Sequence, residues 1–567
     1  MSRQLKILTL SLFLLLAVSV GCTQTPASNS ASVIDRYVFI TVTPAPLSPA
    51  AATASANIDE RPLTPIAACT GTFKEHTLDH TTSIAGDVVR MFDSNGSGLA
   101  VNDLDNDSDL DLVLANLKGD NAIFWNDGNL SFRKETLPYG DARAANIIDV
   151  DSDGWQDIVF TQRSGSPLYW HNDGGRFSQT ALPGVMHYAY AMAWGDLDQD
   201  GDLDLVTGSY DAELSKALGN VFLFSGGAGV FYYENLGGAF TPTRLADEAQ
   251  TLAIFLTDLN DDFRPEILVG NDFGMPDFVW QRQPTGWQPV HPFAETTHST
   301  MSFEAGDTNN DGQLELFATD MKPYATDPQT LSAWAPVMAD MSPPPAGDPQ
   351  IMENVLQVAT NSRYENRAAV SGLAATGWSW SGKFGDLDND GFLDVYVVNG
   401  MMAEELFGEL PNAELVEQNQ AFRNDGTGQF VPAPEWALAA TDSGRGMSMA
   451  DLDNDGDLDI IVNNLLAPAR IFENQLCSGS ALEVDLFWPA SQNDRGLGAQ
   501  AILHTSTGTY RREVRSGSGY LSGDPARLHF GLPTDTAVEY LEIRWPDGAM
   551  SKIDNLAAGS MVTVNRN

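Results

Sequence analysis

The feature that most constrains this chain is a nine-residue pattern, D-x-[D/N]-x-D-x-x-x-[D/E], that recurs seven times. The first three copies are Asp103, Asp105, Asp107, Asp111; Asp149, Asp151, Asp153, Asp157; and Asp196, Asp198, Asp200, Asp204. The next two are Asp258, Asn260, Asp262, Glu266 and Asp307, Asn309, Asp311, Glu315. The last two are Asp386, Asp388, Asp390, Asp394 and Asp451, Asp453, Asp455, Asp459. Glycine follows the third of these positions in five copies (Gly154, Gly201, Gly312, Gly391, Gly456), while Ser108 and Phe263 stand there in the first and fourth. One acidic turn is ordinary, but seven in phase mark a repeat architecture.

The spacing has a chemical reason. Hard cations such as Ca²⁺ take about six to eight oxygens at roughly 2.3–2.6 Å. Carboxylates at alternate positions of a tight turn point at one centre, and the glycine lets the backbone bend sharply. The ninth-position carboxylate is expected to close the shell, with a backbone carbonyl at the seventh. A helix–loop–helix site would need Glu at the twelfth position and flanking helices. Here strand-like apolar runs follow, at 112–115, 158–161, 205–207, 267–269, 316–318, 395–398 and 460–462. The expected cofactor is Ca²⁺, up to seven ions, with the fourth site weakest because it lacks the glycine and carries Pro265.

The rest of each unit is also in phase. An aromatic-rich strand ends near Asn or Gln, as in Ile123-Phe124-Trp125-Asn126 and Phe231-Tyr232-Tyr233-Glu234-Asn235. A turn follows, then a third short strand carrying Phe132, Phe177, Phe240, Trp287, Tyr364 or Phe430, then an apolar strand into the next loop. Four strands per unit, repeated radially, describe a propeller blade. Gly71-Thr72-Phe73 supplies a strand that completes the last unit, so the expected fold is all-β: a seven-bladed β-propeller with Asp-rich calcium loops over 67–475. Residues 476–567 contain at least five further strand-like runs and are expected to form a small β-sandwich or barrel. Insertions of unequal length fall around 208–229, 321–353 and 401–419, the last read as a short acidic helix; long loops on a rigid scaffold are where recognition sits.

Arg3 and Lys6 precede an apolar run over 10–20, which reads as an export signal over 1–21 and is too short to span a bilayer comfortably. Ser19-Val20-Gly21-Cys22 resembles a bacterial lipobox, with Ser in place of the usual Leu or Val; Cys22 is the expected lipidation site. Residues 22–66 are rich in Ala, Ser, Thr and Pro and are expected to form a disordered tether. The remaining cysteines, Cys69 and Cys477, flank the repeats, and an exported chain is expected to join them. With 31 Lys plus Arg against 76 Asp plus Glu, the formal charge of −45 argues against nucleic acid or anionic membrane as partners.

The repeats resemble the FG-GAP/VCBS family, most plainly over 378–391, WSWSGKFGDLDNDG. The C-terminal part resembles the ASPIC/UnbV domain through Gly496-Leu497-Gly498-Ala499, Arg515-Ser516-Gly517-Ser518-Gly519-Tyr520, Leu528-His529-Phe530-Gly531-Leu532 and Trp545-Pro546-Asp547-Gly548. The pairing looks like bacterial relatives of the cartilage acidic protein family. The resemblance implies a calcium-binding propeller used for extracellular interaction or adhesion. No H-E-x-x-H, G-x-S-x-G or phosphate loop is present, so catalysis is not expected. The reading is a monomeric recognition protein, lipid-anchored at the cell envelope or extracellular surface, with a protein or glycan ligand. The alternatives are a calcium-dependent lyase or hydrolase of acidic polysaccharide, and a purely structural envelope protein.

Overall fold

The computed structural model describes residues 52–567 except 67, 164, 220–221, 223–227, 341–347 and 361–362. The export signal over 1–21, Cys22 and the tether up to residue 51 lie outside the described residues.

Between the Asp-rich loops the chain makes antiparallel four-strand meanders. In the first, Leu99–Asn102 runs into the loop, Asp111–Leu114 leaves it, and Asn121–Asn126 and Phe132–Leu137 complete the sheet. The first three strands are buried throughout, whereas the fourth is mostly exposed. This gradient explains why the loop-following runs read as continuous apolar segments and the outer strands as mixed. Seven sheets of this order lie among the described residues. Their loop-entering strands touch in a cycle: Leu99–Asn102, Ala142–Ile148, Ala191–Gly195, Thr251–Thr257, Ser302–Gly306, Ser381–Gly385, Gly444–Ala450 and back to the first. The fold is a β-propeller built of repeated four-stranded sheets.

Closure uses segments distant in sequence. Phe73–Thr81 pairs with Pro468–Asn474, matching Phe73 to Asn474 and His76 to Ile471. Beside this junction Cys69 and Cys477 form a disulfide with Cα atoms 5.5 Å apart. It closes a loop of most of the chain, so replacing both cysteines with serine is expected to cost about 2–5 kcal/mol. Urea unfolding with and without reductant checks this, because reduction of the parent protein should reproduce the variant's midpoint.

The C-terminal part forms two four-stranded sheets. One orders Ala56–Pro62, Ser560–Arg566, Ser480–Phe487 and Leu528–Leu532; the other orders Thr509–Glu513, Gln500–Thr505, Val538–Arg544 and Met550–Asp554. Leu482, Phe530, Leu541, Trp545 and Val562 are buried among them. The first of these strands corrects the sequence reading, which assigned 22–66 to a disordered tether. Ala56–Pro62 pairs over seven positions with the last strand of the chain, from Ala56 opposite Arg566 to Pro62 opposite Ser560. Its side chains are almost all exposed. An edge strand held by backbone hydrogen bonds needs little apolar burial of its own, so composition could not reveal it.

The segment 515–524 of the C-terminal part fills the centre of the ring of inner strands. Gly517–Ser518 pairs with Ser522–Gly523 as a hairpin, and this hairpin with its flanks meets every inner strand. Gly523 pairs with Ala100, the Ala145 N–H donates to Leu521 O (3.3 Å) and the Trp194 N–H to Ser516 Oγ (3.0 Å). The Arg515 guanidinium lies 5.1 Å from the Phe255 ring centre. The Gly519 N–H donates to Phe303 O (2.8 Å), the Tyr520 N–H to Ser381 Oγ (3.2 Å) and the Met447 N–H to Ser522 Oγ (3.1 Å). At the tip, the fully buried Tyr520 shares a 2.5 Å hydrogen bond with the Tyr190 hydroxyl and packs 4.8 Å from the Trp380 ring. At the base, Lys383 donates to Ser518 Oγ (2.5 Å), pairs with Asp524 and stands 3.9 Å from Glu304. A cavity of about 140 Å³ opens beside this base, lined by Glu304, Lys383, Arg512, Arg515, Glu483 and Asp524 among others.

Candidate metal centres

Each of the seven loops turns around its first aspartate. Asp103 accepts the N–H groups of Asp107 (3.2 Å) and Ser108 (2.9 Å). Asp386 accepts those of Asp390 (3.0 Å) and Gly391 (2.9 Å), and Asp451 those of Asp455 (3.0 Å) and Gly456 (2.8 Å). Asp149, Asp258 and Asp307 repeat the pair, and Asp196 makes the second of the two bonds. This curl requires two residues in the left-handed region. The fourth loop position is Asn106, Ser152, Gln199, Asp261, Asn310, Asn389 or Asn454, all with φ between 51° and 66°. The sixth is a glycine in five loops; Ser108 (φ 77°) and Phe263 (φ 65°) adopt the same conformation without that freedom.

Four loops bring three of their acids together. Asp103, Asp105 and Asp111 bring carboxylate oxygens within 4.8 Å of one another, as do Asp149, Asp151 and Asp157, then Asp196, Asp198 and Asp200, and Asp386, Asp388 and Asp394. His171 joins Asp151 and Asp153 in a further group. Asp105 Oδ1, Asp196 Oδ1, Asn260 Oδ1 and Asp388 Oδ1 are buried without a hydrogen-bond partner. An all-oxygen donor set with orphaned acceptors fits a hard cation, and these groups could hold one. The electrostatics agree. Burial, reinforced by neighbouring loop carboxylates, pushes Asp111 up to about 8 and Asp451 up to about 7. Asp455 rises to about 9 from burial and the charges of Asp453 and Asp451.

Its spacing suggested a ninth position that closes a shell; in the structure it accepts backbone N–H groups. Asp111 takes the Leu104 N–H (3.0 Å) on one oxygen and the Asn126 N–H (2.8 Å) on the other. Asp157, Asp204, Asp394 and Asp459 make the same two bonds, to Val150 and Asn172, Leu197 and Asn235, Leu387 and Asn424, and Leu452 and Asn474. It is a buried brace between loop and third strand. In the two loops with Asn at the third position, the ninth residue is Glu. Asn260 Nδ2 donates to Glu266 (2.7 Å) and Asn309 Nδ2 to Glu315 (3.0 Å). The longer acid thus accepts the amide N–H group and, in Asn260, leaves the amide oxygen without a hydrogen-bond partner.

The asparagines ending the third strands are functional residues whose role the sequence reading missed. Asn126 Nδ2 donates to Leu110 O (3.2 Å) in its own unit and to Leu452 O (2.7 Å) in the neighbouring loop. Asn172, Asn424 and Asn474 likewise bridge to Leu104, Thr308 and Leu387 of adjacent loops. Their recurrence in phase was the available signal.

The C-terminal part lies against the loops. Arg495 Nη2 donates to Asn106 (2.9 Å), Arg527 Nη2 to Ser108 O (3.1 Å), Ser491 Oγ to Gly201 O (2.9 Å) and Ser478 Oγ to Asp388 O (2.6 Å). Arg511 Nη1 reaches Gly312 O (2.8 Å), and His529 Nε2 reaches Gly456 O (3.1 Å). Arg495, Arg511 and Arg527 are therefore committed to the loop face.

Comparisons with known proteins bear on the same two regions. The FG-GAP-like repeat model matches residues 149–207, 258–318 and 412–462, and the ASPIC and UnbV model matches 489–567. Cartilage acidic protein 1 of Mus musculus is 23% identical over 532 residues, covering 81% of this chain and 72% of that protein. The Homo sapiens protein of the same name is 23% identical over 546 residues, covering 83% and 72%. The solved structure of BBS1N in complex with ARL6DN, soaked with lead, aligns at 9% identity with a TM-score of 0.40, covering 72% of this chain and 97% of that one.

Proposed function

The chain carries FG-GAP-like repeats and an ASPIC and UnbV domain, and from that premise we propose a calcium-binding, surface-tethered recognition protein that binds a protein or glycan through the face bearing its inserted loops. The observation carrying this reading is the division of labour between faces. The C-terminal part occupies the metal-loop face and its hairpin fills the channel, which favours binding over turnover. The inserted loops emerge at the opposite ends of the strands. There Glu404 N–H bonds Val89 O (2.9 Å), Lys216 Nζ lies 3.8 Å from Glu405, and Trp334 packs on Trp378. This face presents Phe273 and Met338, 50% and 49% exposed, with Phe92 and Tyr210 beside Phe273.

The oxygen-rich loops support calcium as the ion, and the disulfide supports an oxidising compartment. A lipid at Cys22 would tether the molecule to the cell envelope. The test is binding of residues 23–567, the mature chain without its lipid-bearing Cys22, to glycan and surface-protein arrays with and without calcium. Saturable binding lost in the double variant Phe273→Asp, Met338→Asp, with the unfolding temperature retained, is expected. Binding that survives this change, or release of unsaturated products from uronic-acid polymers, would overturn the assignment. Incorporation of labelled fatty acid, abolished by Cys22→Ala, tests the anchor.

A further inference from the structure

The seven loops are linked to one another around the ring, and the links are of two kinds. At five junctions the residue at the fourth loop position reaches the next loop by its own amide. Asn106 Nδ2 donates to Gly154 O (3.2 Å), Gln199 Nε2 to Phe263 O (2.9 Å), Asn310 Nδ2 to Gly391 O (3.0 Å), Asn389 Nδ2 to Gly456 O (3.1 Å) and Asn454 Nδ2 to Asp109 Oδ1 (2.7 Å). The second and fourth loops break this rule with Ser152 and Asp261. A serine is too short for the span, and a carboxylate has no proton to donate.

At both junctions the C-terminal part supplies the missing link. Arg511 pairs through Nη2 with Asp261 (3.1 Å) and donates from Nη1 to Gly312 O (2.8 Å), joining the fourth loop to the fifth. Between the second and third, Ser152 Oγ donates to Gln492 O (3.4 Å), while Ser491 Oγ and the Asn493 N–H each donate to Gly201 O (2.9 Å). Arg511 is 5% exposed, and its two contacts stand next to the central ligand positions Asp262 and Asp311. A planar fork meets the two partners with two separate nitrogens, whereas an ammonium must serve both from one.

We propose that the C-terminal part completes the ring of loop-to-loop links, and that Arg511 is a positioning residue setting cation affinity in the fourth and fifth loops. This rests on the reading of the loops as calcium sites. Outer contacts of this kind typically control metal affinity by about 10- to 100-fold. The experiment compares the mature chain with Arg511→Met, Arg511→Lys and Asn310→Ala, using calcium calorimetry and peptide-resolved hydrogen–deuterium exchange with and without calcium. Arg511→Met is expected to weaken two sites by about 10- to 100-fold and to raise exchange in 258–266 and 307–315 only. Arg511→Lys should fail to restore them, and Asn310→Ala should shift the effect to the fifth and sixth loops. Unchanged isotherms and exchange in Arg511→Met would overturn the proposal, as would an equal loss across all seven loops. If the parent protein takes up no calcium, the calcium reading fails by itself. The link then stands or falls on whether Arg511→Met raises exchange at those two loops in the metal-free chain.

Discussion

Excess chelator is expected to lower the unfolding temperature of the mature chain by more than about 10 °C, since each loop held at 100 times its Kd adds about 2.7 kcal/mol and several act together. The physical source is the set of carboxylates crowded into buried turns. Burial raises Asp111 and Asp204 to about 8 and Asp149 and Asp196 to about 7, with neighbouring acids adding to the effect. A carboxyl whose pKa is higher in the folded state than in the unfolded state binds its proton more tightly when folded. That contribution is complete below the unfolded value near 4 and is lost as the pH climbs through 7 to 8. The metal-free protein should therefore weaken between pH 5 and pH 8, while calcium, competing with fewer protons, binds better over the same range. The chelator-induced drop should widen with pH. Calorimetry at pH 5.5 and pH 8 reads both effects, and a transition indifferent to chelator at pH 8 would withdraw calcium as a structural ion.

Lys383→Met carries the second large expected effect, a loss of about 3–5 kcal/mol. The substitution removes the cation that pairs with Asp524 and leaves Glu304 with Arg515 at 3.5 Å as its remaining cation, beside the Ser518 hydroxyl at 2.7 Å. Both acids belong to the base of the channel, where the hairpin meets the inner strands. Urea denaturation of the calcium-loaded protein measures the loss. A change under about 1 kcal/mol would mean that water in the adjoining cavity solvates the acids when the lysine is gone.

The repeat was legible because it states its chemistry at fixed spacing. The Asp-rich loops from Asp103 to Asp459, the strands that follow them and the closure through Phe73 could all be read from periodicity. What escaped the reading is held by groups without periodicity. The hairpin 515–524 has no alternation of apolar residues because its residues are chosen for fit. A Cβ on Gly519 would lie 2.4 Å from Ser381 Oγ, and one on Gly523 2.9 Å from Ala100 Cβ. The fourth loop position escaped because Asn, Gln, Ser and Asp all serve there; what they share is a left-handed backbone, for which repeated Asn is the visible trace. The strand Ala56–Pro62 escaped because backbone pairing leaves no mark in composition.

That strand has a consequence for the order of assembly. Its partner is Ser560–Arg566, about as far away as the chain allows, and the outer strand Phe73–Thr81 waits for Pro468–Asn474. The second pairing needs the chain as far as Asn474 and the first as far as Arg566, and the hairpin that fills the ring arrives only after every repeat has emerged. Contacts this remote place loop-closure entropy ahead of their reward and make folding slow. A chain truncated within Ser560–Arg566 would carry all of its repeats and still lack rungs for Ala56–Pro62, so this strand docks only once the C-terminal sheet is in place.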